Sequence, residues 1–412
     1  MLITDIKYLI NVRENLTGPL RGSGLAHLPV IENAWLKMED GKIAAYGKME
    51  DLHHFGDYRV FNAEGRSVLP AWCDSHTHLV FAASREEEFL DKLKGLSYAE
   101  IAAKGGGILN SARKLAATPE DLLFEQARER VQKLIGLGTG ALEIKSGYGL
   151  SVEAELKMLR VIRRLKEWAP VPVKATFLGA HALPLNYQGN RRAYIQVILN
   201  EMLPEIAKEN LADYIDVFCE EGFFSQAETE EICYAGASYG LKPRIHANQL
   251  NLSGGVQAAY HTGALSADHL ETISEEEIRI LGLPDAPMAT LLPTAAYFLR
   301  MGFPPARKLI ENQAAVALAS DFNPGSSPSG NMNLVVSMSC IQMKMLPEEA
   351  INAATINGAY AMEVANETGS ITVGKKANLI LTRNIPSVAY LPYSFGENLV
   401  EKVLINGAFI KE

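Results

Sequence analysis

The residues able to do chemistry in this sequence are concentrated in His76-Thr77-His78 and in three later positions, His246, His269 and Asp321. Alternate residues of an extended strand project to the same face, so His76 and His78 can aim at one point while Thr77 faces elsewhere. Alone, such a pair also fits a solvated or hydrogen-bonded arrangement. Its company argues otherwise, because Arg244-Ile245-His246, Ala267-Asp268-His269 and Leu318-Ala319-Ser320-Asp321 each close an apolar segment on a polar residue. Imidazole nitrogens from His76, His78 and His246 with a carboxylate oxygen from Asp321 form a donor set suited to zinc or iron, with a position left for water.

Neighbouring residues read differently. Cys73 precedes the pair within the strand and is expected as a packed thiol. Asp74 shares the parity of His76 and either supports the histidines or makes a structural hydrogen bond. Lys145, at the end of another segment, reads as an ion-paired lysine. Arg85 is followed by Glu86, Glu87 and Glu88, and spacing alone makes it a surface ion-pair partner. Gly105-Gly106-Gly107 reads as a mobile loop near the mouth of a site. It lacks the strand before it and the Lys-Ser/Thr after it that a phosphate cradle needs.

These positions require a scaffold that brings strand ends together. Apolar, β-branched segments occur at about 67–75, 139–145, 172–179, 214–219, 242–246, 264–268, 287–293 and 315–320. Helical patterns separate many of them. Thr118-Pro119-Glu120-Asp121 predicts a helix capped by Thr118 and ending near Gly136 or Gly138, and Ser151 predicts another with Leu156, Leu159, Ile162, Leu165 and Trp168 on one face. Such alternation, with no Gly-x-Gly-x-x-Gly after the first segment, predicts an α/β chain folded as a (β/α)8 TIM-like barrel over residues 67–365. Barrels of this kind gather active-site groups at the C-terminal strand ends. Residues 1–66 and 366–412 alternate in short strand-like pieces, among them a hairpin turning at Asp40-Gly41. They predict one small β-sandwich domain built from both chain ends.

Composition narrows the function classes. The 412 residues are 48% hydrophobic and 21% charged, with a net charge of −9, the mix of an ordinary globular protein with no footprint for nucleic acid or an anionic membrane. An anionic ligand therefore needs a local positive site. Neither a signal peptide nor a membrane span is visible, and the scattered Cys73, Cys219, Cys233 and Cys340 fit reduced thiols in a cytoplasm.

With His76-x-His78 on the first strand, His246 on the fifth, His269 on the sixth and Asp321 on the eighth, the chain resembles the metal-dependent amidohydrolase superfamily. The match extends to Leu69-Pro70-Ala71 and Gly374-Lys375-Lys376-Ala377-Asn378, although Ala71 stands where glycine is usual and Asn378 where aspartate is. Members with two metals carry a bridging lysine at the end of strand four; here that strand runs Asp216 to Glu221 without one, which implies a single zinc or iron ion. Deaminases of the superfamily carry a glutamate three residues after the strand-five histidine. This chain has Gln249, whose amide cannot shuttle a proton in that way.

Longer stretches are more specific: His78 to Phe89, Gly105 to Ile108, Glu143 to Leu150, Phe177 to His181, Ser266 to Leu270 and Ala319 to Pro328. As a set they resemble the branch that opens the cyclic amide of 4-imidazolone-5-propanoate to N-formimidoyl-L-glutamate in histidine degradation. That resemblance implies His269, Asp321 and Gln249 as catalytic groups. It turns Arg85 from a surface residue into the anchor for the propionate, and it implies substrate contacts from Tyr148, His181, Gln249, Asn323, Gly325 and Ser326. A homodimer acting on a small anionic substrate is the corresponding expectation. The rival readings are another cyclic amidohydrolase or an aromatic deaminase and, more remotely, a barrel scaffold without catalysis.

Overall fold

The computed structural model describes residues 1–14, 17–54, 56–96, 100 and 106–410; Gly105 of the glycine run lies outside them. Strands β1 (Leu2–Ile10), β2 (Val30–Glu39), β3 (Lys42–Lys48), β4 (Val60–Asn62) and β5 (Val68–Pro70) open the chain. The barrel strands follow as β6 (Trp72–Asp74), β7 (Thr139–Lys145), β8 (Val173–Ala180), β9 (Tyr214–Cys219), β10 (Lys242–Ala247), β11 (Ser266–His269), β12 (Met288–Leu291) and β13 (Val316–Leu318). Strands β14 (Leu379–Thr382), β15 (Val400–Ile405) and β16 (Ala408–Phe409) close it.

The two chain ends meet in one sheet ordered β16-β15-β14-β5-β1-β2-β3, with β4 beside β1. Ile3, Ile6 and Leu9 of β1 bury against Leu36, Val68, Leu379 and Leu404. The β2–β3 hairpin turns at Asp40 and Gly41, both at positive φ (48° and 77°), the conformation that matches strand twist in a tight hairpin.

Strands β6 to β13 pair in chain order, all in parallel. Between the two end strands the ring is closed by the segments just beyond them. Thr77 bridges Phe322 in parallel fashion, the His78 N–H donates to the Phe322 carbonyl (2.9 Å), and the Asp321 N–H donates to the His76 carbonyl (3.0 Å). Asp74 reinforces this seam by accepting from the Ser320 N–H (3.0 Å) and hydroxyl (2.5 Å). The structural reading of Asp74 is therefore the one observed, and the backbone bonds that close the barrel also fix the spacing of His76, His78 and Asp321.

Helices α1 (Glu86–Leu93), α2 (Ile108–Ala117), α3 (Glu120–Gly136) and α4 (Val152–Trp168) flank the first strands. Thr118 does not cap α3 as its sequence context predicts. Its hydroxyl donates to the Lys114 carbonyl (2.7 Å) at the end of α2, and Pro119 takes the N-cap position instead. Ser151 caps α4 as expected, accepting from the Ala154 N–H. Among the described residues no helix is long and apolar enough to cross a membrane.

The two departures from the superfamily pattern are accommodated at one spot between sheet and barrel. Asn378 donates its amide to the Gly140 carbonyl (3.1 Å) and accepts from the Asn406 N–H (2.9 Å); an aspartate could do only the second. The Ala71 methyl lies over Gly140, where an added Cβ would collide with it and sit 3.2 Å from the Asn378 Cβ. Gly140→Ala should therefore cost about 1–3 kcal/mol through overpacking, read as a lower denaturant midpoint. Adding Ala71→Gly should recover part of that loss, and an additive pair of effects would contradict the steric explanation.

Candidate metal centre and active site

His76, His78 and Asp321 bring one donor atom each within 4.8 Å of one another, and His246 adjoins them at His78. The Nε2 atoms of His76 and His78 are 3.2 Å apart, and His246 Nε2 is 3.4 Å from His78 Nε2. Asp321 Oδ1 lies 3.6 Å from His76 Nε2 and 3.5 Å from His78 Nε2. A tetrahedral ion with bonds of ~2.1 Å has ligand–ligand edges of about 3.4 Å, so these separations fit one ion.

Electrostatics support the same conclusion. Burial pushes the pKa of His76 and His78 well below the usual imidazole range. It also lowers that of His246, although Asp216 opposes the shift. His76 Nδ1 is 2.6 Å from Asp268 Oδ2 and His246 Nδ1 is 2.9 Å from Asp216 Oδ2. The Asp268 carboxylate keeps the ring proton of His76 on Nδ1 and leaves its Nε2 as a lone pair, and Asp216 places its charge beside His246 Nδ1. A cation between these nitrogens would draw their lone pairs inward and remove the repulsion between any that face one another. His269 is also within reach, since it, His76 and His246 can bring ligand atoms within 4.8 Å of one another.

Asp216 and Asp268 were missed by sequence reasoning, which followed the strand ends and not the residues beneath them. They belong to a buried ionic layer. Lys145 Nζ is 2.9 Å from Glu143, 2.8 Å from Asp216 and 3.7 Å from Asp268, and an Arg244 nitrogen is 3.5 Å from Asp268. Burial alone would raise both aspartates. Arg244 and then Lys145 reverse this for Asp268, and His246 and Lys145 hold Asp216 well below the carboxylate range. Lys145 is thus ion-paired, as its position suggested. Cys73 is a packed thiol against Ala141, Ile356 and Ala359.

Above the ion-binding point lies a cavity of ≈ 520 Å³ lined by His78, Arg85, Tyr148, His181, His246, Gln249, His269, Asp321, Asn323, Gly325 and Ser326. Every remaining residue expected at the site is therefore brought together; His76, the other expected ligand, lies fully buried behind this wall. Arg85 forms the N-cap of α1, donates from Nε to the Ser111 hydroxyl (2.8 Å), and places its guanidinium 5.7 Å from the Tyr148 ring centre. A Cβ at Gly325 would lie 2.6 Å from Arg85 Nη1, so only glycine leaves that nitrogen its place. Tyr148 rides on a loop whose Gly147, Gly149 and Leu150 N–H groups all donate to the buried Glu155 carboxylate. His181 Nδ1 meets the Gly147 carbonyl at 3.0 Å, which leaves Nε2 for the cavity.

The turn after β13 is both a tight turn and part of the site. Asn323 Oδ1 accepts from the Gly325 and Ser326 N–H groups (both 2.8 Å), and Ser326 Oγ donates to Asp321 Oδ2 (3.1 Å). That last bond leaves Oδ1 for the histidine side. Burial raises the Asp321 pKa to about 6, with His269, Ser326 and Asn323 opposing.

Known proteins resemble this chain over nearly its whole length. Residues 67–410 match the amidohydrolase family. An imidazolonepropionase from Flavobacterium johnsoniae is 55% identical over 410 residues, covering 99% of each chain. One from Geobacillus sp. is 41% identical over 415 residues, covering 100% of this chain and 97% of the other. Among solved structures, an atrazine chlorohydrolase variant from Arthrobacter aurescens, complexed with zinc and atraton, superposes with a TM-score of 0.75 at 15% identity, over 99% of this chain and 94% of that one. Guanine deaminase of E. coli does so with a TM-score of 0.72 at 14% identity, over 100% and 98%. At such identities these structures speak for the fold alone. The length and level of the sequence matches place the chain more closely: it belongs to the amidohydrolase family and, within it, to the imidazolonepropionases.

Proposed function

We propose that the protein opens the ring of 4-imidazolone-5-propanoate with water, giving N-formimidoyl-L-glutamate, a step of histidine degradation. The observation that carries this reading is the placement of Arg85 in the same cavity as His78, His246 and Asp321, with His76 buried directly behind them. One end of a small anion can be gripped while its ring faces the hydrolytic groups.

In this reading the four donors would hold one zinc or iron ion, which would supply Lewis acidity toward water and the carbonyl oxygen. His269 orients the attacking water and takes its proton. Water oxygen bonds to the ring carbonyl carbon, and His269, now protonated, faces the negative oxygen that develops there. Asp321 relays the proton held by His269 to the ring nitrogen as the C–N bond breaks, so that nitrogen leaves neutral and His269 returns to its starting form. Gln249 donates to or accepts from the ring without exchanging a proton. Arg85 takes the propionate through paired hydrogen bonds, with Tyr148 and His181 lining the path between the two ends. Asn323, Gly325 and Ser326 frame the reacting end.

Freshly prepared imidazolone propionate supplied to the metal-analysed protein should lose its ultraviolet absorbance as formimidoylglutamate accumulates. Exhaustive chelation should abolish turnover, and zinc or iron should restore it. Ammonia release from a purine or pyrimidine, with imidazolone propionate left intact, would overturn the reading in favour of a deaminase.

A further inference from the structure

We propose that Glu271 is the positioning residue that holds His269 with its proton on Nδ1 and its Nε2 free for the reacting water. The inference rests on the role given to His269 above and concerns a residue outside the set expected from sequence. Glu271 Oε1 lies 3.4 Å from His269 Nδ1, and the two side chains are 1% and 2% exposed.

The backbone is bent to make this contact. An extended chain would carry residue i+2 about 6.7 Å along the strand. Instead His269 (φ 85°) and Leu270 (φ 67°) both take the left-handed region, which side-chain-bearing residues adopt at a cost and mostly where surrounding structure holds them. Here the Leu270 N–H donates to the Ala247 carbonyl (3.1 Å) and the Thr272 N–H to the Asn248 carbonyl (3.0 Å). The chain therefore turns back at the end of β11 and brings the Glu271 carboxylate to the far side of the imidazole.

A buried glutamate can also serve as a loop staple, and this chain shows what that looks like. Glu155 accepts from the backbone N–H groups of Gly147, Gly149 and Leu150, Glu220 accepts from those of Glu221 and Leu250, and Glu277 from that of Ser274. Among the described residues the Glu271 carboxylate takes no backbone N–H. Its one hydrogen-bond contact is His269 Nδ1, and its Oε2 is buried without a partner. A carboxylate in that position fixes the tautomer of a neighbouring imidazole and stabilises the imidazolium that forms when the ring takes a proton.

The test uses the zinc-loaded full chain. Nitrogen-15 chemical shifts of the histidine rings should show His269 protonated on Nδ1 in the unaltered protein, and Glu271→Gln should weaken or lose that signature. The same variant should lose kcat by on the order of 10²-fold with KM and zinc content unchanged, while Glu271→Asp, which keeps the charge, should recover part of the loss. A His269 ring without a proton on Nδ1 in the unaltered protein would overturn the proposal even if the glutamine variant fails to fold. So would a folded glutamine variant with kcat within twofold of the parent, or equal losses in the two variants. Absence of imidazolone propionate hydrolysis by the parent chain would instead refute the proposed function, and the tautomer measurement would still decide the role of Glu271.

Discussion

Replacing His269 with asparagine should lower kcat by on the order of 10²–10⁴-fold, the usual contribution of a positioned general acid–base group, while the protein retains its metal and KM changes little. The expectation follows from which atoms converge. His76, His78 and Asp321 already stand 3.2–3.6 Å from one another, and His246 Nε2 lies 3.4 Å from that of His78, which supports a site of these four donors. The His269 ring centre stands 5.2 Å from that of His246 and 5.6 Å from that of His76, beside the donors and on the cavity wall. Its acid–base character is also set apart. Burial works to lower its pKa as it does for the others, yet Glu271, followed by Asp321 and Asp268, outweighs burial and raises it. Steady-state kinetics together with metal analysis decide the point. Loss of metal with activity would make His269 a ligand, and near-normal turnover would remove it from the mechanism.

The candidate donors and the scaffold were read from the sequence for the same reason. A barrel strand buried on both faces reads as an apolar run, so polar residues gathered where each run ends mark the rim, and His76, His78, His246, His269 and Asp321 stand there. What could not be read were the groups under the rim. Asp216 sits inside an apolar run and Asp268 just before a strand-end histidine, where sequence gives no sign that Arg244 of an adjacent strand and Lys145 of a more distant one will neutralise them; these partners come together only once the sheet has closed. Glu271 was hidden by a different cause, since its position depends on two consecutive left-handed residues at His269 and Leu270 that neither histidine nor leucine announces. Thr118 shows the limit of local rules as well. It has the right type and spacing to start α3, but its hydroxyl was taken by the end of the preceding helix. For Arg85 the residue types around it pointed the wrong way, toward an ion pair with the following glutamates.

The Arg85→Ala variant should raise KM for imidazolone propionate by roughly 10²–10⁴-fold, with a smaller change in kcat. Two hydrogen bonds from a guanidinium to a carboxylate contribute about 1.5–3 kcal/mol each, and each 1.4 kcal/mol is tenfold in affinity. That full effect requires a guanidinium not already committed to another acid. Of the adjacent glutamates, Glu86 pairs with the Ser84 hydroxyl and Glu88 accepts from the Gly107 N–H (2.8 Å), and among the described residues Arg85 has no carboxylate partner. Its Nε is spent on Ser111, which orients the fork and leaves its terminal nitrogens beside Gly325 at the cavity wall. In a chain of net charge −9 the general field repels an anion, so the local cation has to supply the attraction. Lysine at this position should recover only part of the loss, because a point charge cannot reproduce the two parallel bonds. An imidazolone analogue lacking the carboxylate separates this role from a merely structural one: its weak turnover should be the same for the parent and for Arg85→Ala, whereas a structural defect would lower both substrates together.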